Sequence, residues 1–155
     1  ASNQITQMIL IMCYSGYRIK AYETLEVNLS QCYFKGGVKT RSSKNRIVPI
    51  HPAIYDFVKL RWNGKNLLGC SSSDFRDKMY KKLNDLGIDY SNGKKHTPHD
   101  CRHTFSRLCE KYHVNENDRK RMMGHSFGND ITNAKYGHRT VEELRAELEK
   151  IQVPK

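Results

Sequence analysis

Side chains that could bind an anion or move a proton are concentrated between residues 99 and 138, where five of the seven histidines lie. His99 and Arg102 stand three residues apart, His125 follows a glycine, and Tyr136 stands just before Gly-His. The set lacks both a carboxylate cluster for a metal and a glycine-rich loop for a nucleotide. Its chemistry favours proton transfer and charge stabilisation at an anionic centre.

Two arginines are the strongest candidates for holding that anion. Arg18 follows Ser-Gly-Tyr at a predicted helix start, and Arg102 shares a helix face with His99. Each guanidinium offers a fork of donors that matches phosphate oxygens. Two forks can hold both non-bridging oxygens of a phosphodiester and stabilise its pentacoordinate transition state. His125, after a helix-stopping glycine, is a third donor. A lone arginine usually forms a surface ion pair, but the joint occurrence with Tyr136 favours an anion site.

Tyr136 is the predicted nucleophile. A phenol has a pKa of about 10 and needs a base or a cationic neighbourhood before it can attack. We predict that His99 accepts its proton. A cleaved ester also needs a proton for the leaving alkoxide, and Lys39, on a predicted hairpin, is the candidate general acid.

A metal site is the competing interpretation of His99 and His103, since two histidines four residues apart on a helix can hold zinc. That motif normally carries a glutamate after the first histidine, whereas this chain has Asp100. Arg102 between the histidines also disfavours a divalent cation. We therefore predict no metal, and we expect His103 to be a hydrogen-bonded core residue. His113 is expected to be a surface or packing residue.

The composition points to a polyanionic partner. Lys and Arg number 27 against 16 Asp and Glu, a formal charge of +11, and nucleic acid is the first candidate. A solvated lysine-rich surface is the alternative. The residues that we predict to contact DNA lie on the second of two predicted hairpins and in a polar loop: Arg41, Lys44, Arg46, Lys94 and Lys95.

The bulk features indicate a cytosolic single domain. The length of 155 residues suits one domain. The five cysteines form no CxxC pair, which favours reduced thiols. No apolar run is long enough to span a bilayer, and no signal segment opens the chain. Because Ala1 leads almost directly into a helical pattern, we expect an upstream domain to be missing.

Hydrophobic periodicity predicts an α+β fold that is mostly helical, with a small antiparallel three-stranded sheet. The predicted strands cover about 32–34, 37–40 and 47–50, with turns at Lys35-Gly36 and 41–45, and a polar loop covers 88–96. The predicted helices cover 4–14, 18–25, 52–62, 73–86, 98–112, a segment from the Asn115 cap to Met123, 129–136 and 140–151.

Five motifs follow one another along the chain: Gly16-Tyr17-Arg18-Ile19; Gly37-Val38-Lys39-Thr40 with Arg46-Ile47-Val48-Pro49-Ile50; His99-Asp100-Cys101-Arg102-His103-Thr104-Phe105; Met123-Gly124-His125-Ser126; and Tyr136-Gly137-His138. In these motifs the chain resembles the catalytic domain of the tyrosine recombinase family, also called phage integrases. The sequence around the tyrosine is most similar to that of integrases of phages and conjugative transposons. Each motif alone is weak evidence for the family, but the occurrence of all five in this order is specific evidence for it.

The resemblance implies a reaction without metal, ATP or another cofactor. The tyrosine would attack a DNA phosphate, form a 3′-phosphotyrosine and release a 5′-hydroxyl. It also implies double-stranded DNA as partner, an N-terminal core-binding domain, and strand exchange in a tetramer to which the C-terminal helix, 140–151, would contribute by docking on a neighbour. Accessory DNA-bending proteins and a cytoplasmic location in a bacterium are further expectations.

One departure from the family concerns the support of Arg18. The family usually has an acidic residue three positions after the first arginine, where this chain has Ala21; Glu23 is a candidate replacement.

Two alternative functions stay open. One is a DNA-binding module of the same fold without activity, and the other is a type IB topoisomerase, which shares the nucleophile.

Overall fold

The computed structural model describes residues 3–37, 46–125 and 139–154. The helices in these ranges are α1 Asn3–Cys13, a 3₁₀ helix Ile19–Glu23, α2 Tyr55–Arg61, α3 Ser72–Asp85, α4 Pro98–Lys111, α5 Glu116–Met123 and α6 Val141–Leu148. The strands are β1 Glu26–Asn28, β2 Tyr33–Gly36, β3 Arg46–Pro49, β4 Tyr90–Ser91 and β5 Lys94–Lys95. The predicted fold class, mostly helical α+β, is confirmed. No helix in these ranges is long and apolar enough to cross a membrane.

The predicted three-stranded antiparallel sheet is present, in the order β1-β2-β3. The middle strand β2 pairs on both sides: Lys35, for example, lies opposite Glu26 of β1 and Ile47 of β3. Phe34 and Val48, which are opposite one another, are fully buried, so one face of the sheet forms part of the core.

Two details of the predicted strands were wrong. Lys35-Gly36 was predicted as a turn but lies within β2, and β1 was not predicted. The sequence of β1, Glu-Val-Asn, has no apolar alternation, and the pairing that holds it comes from β2. The predicted strand 37–40 is not confirmed: Gly37 lies outside any strand, and residues 38–45 lie outside the described ranges.

The predicted loop 88–96 contains a second small sheet, formed by β4 and β5. Asn92 and Gly93 connect these strands with φ angles of 52° and 77°. Positive φ at both central residues is typical of a type I′ turn, which suits a tight hairpin. The Asn92-Gly93 dipeptide therefore forms the turn of a hairpin. Lys94 and Lys95 consequently lie on a strand, not in an irregular loop.

Five of the predicted helices are confirmed apart from their ends: α1, α3, α4, α5 and α6. The predicted helix 18–25 is a shorter 3₁₀ helix. Leu86, the last residue of the predicted helix 73–86, lies just beyond the end of α3 and is 53% exposed. The predicted helix 52–62 is reduced to α2. The predicted helix 129–136 lies outside the described residues.

The C-terminal helix α6 packs against β3 of its own chain. Thr140 and Glu143 form a capping box at its start, which fixes where the helix begins. The apolar stripe that we expected to dock on a neighbour is buried in this chain's core, with Leu144 5%, Leu148 0% and Ile151 1% exposed. In this structure the apolar stripe is therefore covered by the chain's own core.

His51 connects this C-terminal segment to the rest of the core. Its Nδ1 accepts a hydrogen bond from the Ala53 N–H at 3.0 Å, and its Nε2 lies 2.8 Å from the Ile151 carbonyl oxygen. A proton on Nε2 alone satisfies both bonds, so the neutral ring fits and the imidazolium does not. Burial, opposed by Ile151 and Glu149, lowers the pKa of His51.

We predict that His51 makes the fold sensitive to mild acid. Its folded-state pKa lies below the unfolded value of about 6.5, so its contribution is present above that pH and is lost as pH falls through the folded pKa. Between pH 7.5 and 5.5 the free energy of unfolding should fall less in His51→Gln than in the unmutated chain. Chemical denaturation followed by circular dichroism measures this. His113→Gln, at an exposed position, should keep the original slope; an unchanged slope in His51→Gln would contradict the assignment.

Candidate active site

The first turn of α4 presents two of the predicted site residues. Asp100 fixes this turn, because its Oδ2 accepts a hydrogen bond from the Thr97 N–H at 2.7 Å. His99 is exposed on this turn, whereas Arg102, three residues later, is only 3% exposed. The helix therefore offers an accessible imidazole beside a buried guanidinium.

The Arg102 guanidinium holds two remote segments together. Its Nη1 donates to the Gly16 carbonyl oxygen at 2.5 Å, and its Nη2 donates to the Met123 carbonyl oxygen at 2.7 Å. Gly16 lies two residues before Arg18, and Met123 lies two residues before His125. A guanidinium carries five N–H donors, so two such bonds leave donor capacity for a further anion.

The turn that carries Arg18 is rigid for identifiable reasons. Gly16 adopts φ +77°, a conformation that glycine reaches without strain. The Tyr22 hydroxyl lies 2.7 Å from Ser15 Oγ and accepts from the Tyr17 N–H at 3.2 Å. Arg18 is the residue before the 3₁₀ helix, and its carbonyl accepts from the Ala21 N–H at 2.9 Å. The predicted helix start at Arg18 is thus confirmed, as a 3₁₀ rather than an α-helix.

His125 is positioned by the end of α5. Gly124 has φ 73° and ends the helix, as predicted. The Gly124 N–H donates to the Arg121 carbonyl at 3.2 Å, and the His125 N–H donates to the Lys120 carbonyl at 2.9 Å. This pair of bonds is a Schellman motif, which leaves the carbonyl of Met123 free to accept from Arg102. His125 itself is exposed.

The four described members of the predicted site act on one another electrostatically. Burial and then Arg18 and Arg46 lower the pKa of Arg102, to about 10, which leaves it protonated at neutral pH. Burial and then His103, Arg102 and Arg18 lower the pKa of His99. Burial followed by nearby arginines, Arg102 first, also lowers the pKa of His125. Because both pKa values lie below the ordinary histidine value of about 6.5, both imidazoles are mainly neutral at pH 7.

Arg46, predicted to contact DNA, takes an unexpected position. It is 8% exposed, and its guanidinium carbon lies 4.2 Å from the centre of the Tyr17 ring, within the range of a cation–π contact. Its carbonyl oxygen accepts from the Tyr17 hydroxyl at 3.1 Å. Arg46 thus adds positive charge behind Arg102, and a direct DNA contact by Arg46 stays a prediction.

The remaining predicted residues fall into two groups. Lys94 and Lys95 are exposed on β5, and the Lys95 ammonium lies 4.0 Å from the centre of the Tyr80 ring. Lys39, Arg41, Lys44 and Tyr136 lie outside the described residues, so their roles stay predictions.

The prediction for His103 was wrong. Its side chain is exposed rather than buried, and its ring packs edge-on against that of His99 with centroids 4.6 Å apart. The core side of α4 is formed by Cys101, Phe105 and Cys109, and His103 projects away from it. Among the described residues no group of three or more His, Cys, Asp or Glu side chains could hold a metal ion.

Arg18 has no acidic partner within the described ranges. Ala21, where an acidic residue was expected from the resemblance, is buried, and Glu23 forms no ion pair with Arg18.

Sequence reasoning missed a cavity of about 610 Å³ that adjoins Arg18 and His99. Lys20 and Arg76 also line it. The sequence pattern of α3 does not reveal the role of Arg76, because it carries no information about the packing of α3 against the start of α4.

The comparisons with known proteins give one structural match. The chain is similar in fold to a solved structure described as the integrase from mycobacterium phage Brujita, with a TM-score of 0.72 and 15% sequence identity. The match covers 98% of this chain and 53% of that one, so this chain spans about half of its length. No protein-family model and no curated protein matches the sequence significantly. At this identity the match establishes an integrase-like fold.

We predict that Gly16 is required for the turn beneath Arg102. A Cβ at Gly16 would lie 2.4 Å from Phe105 Cδ2, whereas one at Gly87, which has φ +72°, would meet no atom within 4 Å. Gly87→Ala should therefore lose only the backbone cost of about 1–2 kcal/mol, and Gly16→Ala about 1–3 kcal/mol more from overpacking. Free energies of unfolding from chemical denaturation test this, and equal losses in the two variants would contradict it.

Proposed function

We propose that this chain is the catalytic domain of a site-specific DNA recombinase that uses Tyr136 as its nucleophile. The observation that carries the proposal is the Arg102 guanidinium, hydrogen-bonded both to the turn before Arg18 and to the helix end before His125. These two bonds hold the backbone near Arg18 and the backbone near His125 to one guanidinium, which supports a shared site for these residues. The integrase-like fold supports the same conclusion.

The arginines would bind the scissile phosphate. Arg102 is preorganised, because its orientation is fixed by two carbonyl groups before any ligand arrives. Donors that need no reorganisation stabilise a developing negative charge most effectively, particularly where water is excluded. Arg18 would hold a second phosphate oxygen, and His125 would supply a neutral N–H donor. The pentacoordinate transition state carries one more negative charge than the diester, and this site opposes that charge.

Protons would move through side chains. His99, with its lowered pKa, is a neutral base at pH 7 and would accept the proton of the Tyr136 phenol as its oxygen attacks phosphorus. The bond to the 5′ oxygen breaks, and Lys39 would protonate that leaving group. The products are a 3′-phosphotyrosine and a 5′-hydroxyl. Attack by the 5′-hydroxyl of a partner strand reverses the same steps and releases the tyrosine.

Both ends of the segment that carries Tyr136 join α5. His125 follows the end of that helix, and Arg139, after the segment, pairs with Asp118 in its first turn at 3.0 Å. A helix of eight residues is about 12 Å long. The eleven residues from His125 to Tyr136 could span about 36 Å if extended, so chain length does not prevent the phenol from reaching Arg102.

The proposal includes partners beyond this chain. Double-stranded DNA is the substrate, and an N-terminal core-binding domain, a tetramer, accessory DNA-bending proteins and a cytoplasmic setting follow from the resemblance. A tetramer joined through α6 would require that helix to exchange its contacts with β3 for contacts with a neighbour, because its apolar stripe is buried within this chain.

We predict that Tyr136→Phe abolishes covalent attachment to DNA. The protein is incubated with a nicked duplex that carries its recognition site, and the adduct is detected by its reduced mobility on a denaturing gel. The unmutated protein should form the adduct, and Tyr112→Phe, which also removes one hydroxyl, should form it equally. An adduct in Tyr136→Phe would exclude this nucleophile. DNA binding without any adduct would favour the inactive module, and efficient relaxation of plasmids lacking the site would favour a topoisomerase.

We predict that cleavage depends on neutral His99. Its pKa is lowered, so the single-turnover rate should stay high to a pH below the ordinary histidine value of about 6.5 and then fall. His99→Gln should reduce the rate on the order of 10²- to 10⁴-fold and remove this acid limb. His103→Gln serves as control: because His103 lowers the pKa of His99, its replacement should move the limb to higher pH while the plateau is kept. The same limb in His99→Gln would disprove the assignment.

A further inference from the structure

A groove beside the candidate active site is lined in part by residues to which no role has been given. It is the cavity of about 610 Å³ between the start of the 3₁₀ helix, α3 and the start of α4. Arg18 and His99 line it where it meets the active site. Lys20 and three residues of α3, Ser72, Arg76 and Tyr80, form other parts of its wall.

The three α3 residues form one stripe. Ser72, Arg76 and Tyr80 are spaced four residues apart, which places them on the same face of a helix. At 1.5 Å per residue the stripe is about 12 Å long. The Tyr80 ring also holds the Lys95 ammonium at 4.0 Å, so the β4–β5 hairpin adds a further cation close to this groove.

Among the described residues, the cations of this groove have no carboxylate partners. Within the part of the chain that the structure describes, neither Lys20 nor Arg76 forms an ion pair, and Arg18 forms none either. Five cations on α5 and nearer the C-terminus, by contrast, are paired with Asp or Glu: Arg119, Lys120, Arg121, Arg139 and Lys150. Within the described ranges, the positive charges that line the groove therefore lack the compensation that these five cations have.

We infer that this groove binds the sugar-phosphate backbone of the DNA strand next to the phosphate held by Arg18 and Arg102. Arg76 and Lys20 would each contact a backbone phosphate, and the Ser72 hydroxyl would donate a hydrogen bond to one of them. The inference rests on the proposed function for the identity of its ligand. A single small anion fits less well, because Lys20 and Arg76 lie on two different elements of the groove wall, whereas a duplex strand carries one charge every 3.4 Å or so.

The test measures how strongly DNA binding depends on salt. Each phosphate contact contributes about −0.9 to the slope of log K against log salt concentration. The variant Lys20→Gln with Arg76→Gln should flatten that slope by about 2. The matched control is Lys78→Gln with Lys81→Gln, which removes the same charge from exposed positions of α3 that do not line the groove. This control should change the slope much less.

All proteins in this experiment carry Tyr136→Phe, so that binding is measured without cleavage, and thermal melting by circular dichroism verifies that each variant is folded. Equal changes of slope in the two double variants would overturn the inference, because net charge alone would then explain the result. An unchanged DNA slope with weakened binding to polyglutamate would also overturn it, since the groove would then serve an acidic polypeptide.

The adduct assay on protein with Tyr136 intact separates this inference from the proposed function. Adduct formation together with an unchanged slope in the groove variant would leave the recombinase proposal in place and remove only the groove. No adduct together with a flattened slope would remove the recombinase proposal but retain the groove as a DNA-binding surface.

Discussion

The buried guanidinium of Arg102 is the interaction on which the arrangement of the site depends. It joins segments 86 and 21 residues away in sequence through the carbonyl groups of Gly16 and Met123. A buried charge is costly unless it is hydrogen-bonded, and both carbonyls meet that need. One of them lies at the C-terminal end of α5, where the helix dipole favours a cation. The contacts that satisfy this buried charge are therefore also the contacts that hold the two segments of the site together.

This arrangement places like charges close together. Arg18 and Arg46 both lower the pKa of Arg102, after burial, which shows that their charges oppose one another in the unliganded protein. Arg46 is partly compensated by the face of the Tyr17 ring, and Arg18 has no acidic partner within the described ranges. An anion in the site would relieve this repulsion. A site that stabilises a negatively charged transition state is expected to be electrostatically unfavourable when empty.

Charged side chains of the described residues serve two purposes. On α5 and α6, Asp118 and Glu143 bind the Arg139 guanidinium at 3.0 Å and 2.9 Å, which anchors the chain after the Tyr136 segment. Lys20 and Arg76 form no such pairs within the described ranges, and both line the groove. Ion pairs thus hold α5 and α6 to the chain that follows the Tyr136 segment, whereas positive charge that lines a groove can attract a polyanion.

Local patterns in the sequence determined the main helices and much of the site. Apolar spacing defined α1, α3 and α4, and Gly16 and Gly124 marked the two breaks after which Arg18 and His125 stand. Such features depend on neighbours within one or two helical turns, so the sequence reveals them. The motif from His99 to Phe105 placed an imidazole and a guanidinium on one helix for the same reason.

Only the tertiary structure decided which side chains are buried and which distant segments meet. The strand β1 exists because β2 pairs with it, Arg46 is buried because Tyr17 lies beneath it, and His103 is exposed because the core contacts the other side of α4. The groove of Lys20 and Arg76 arises where α3 meets the start of α4. These outcomes depend on contacts between residues far apart in the chain, and the periodicity of a single segment carries no information about its partner.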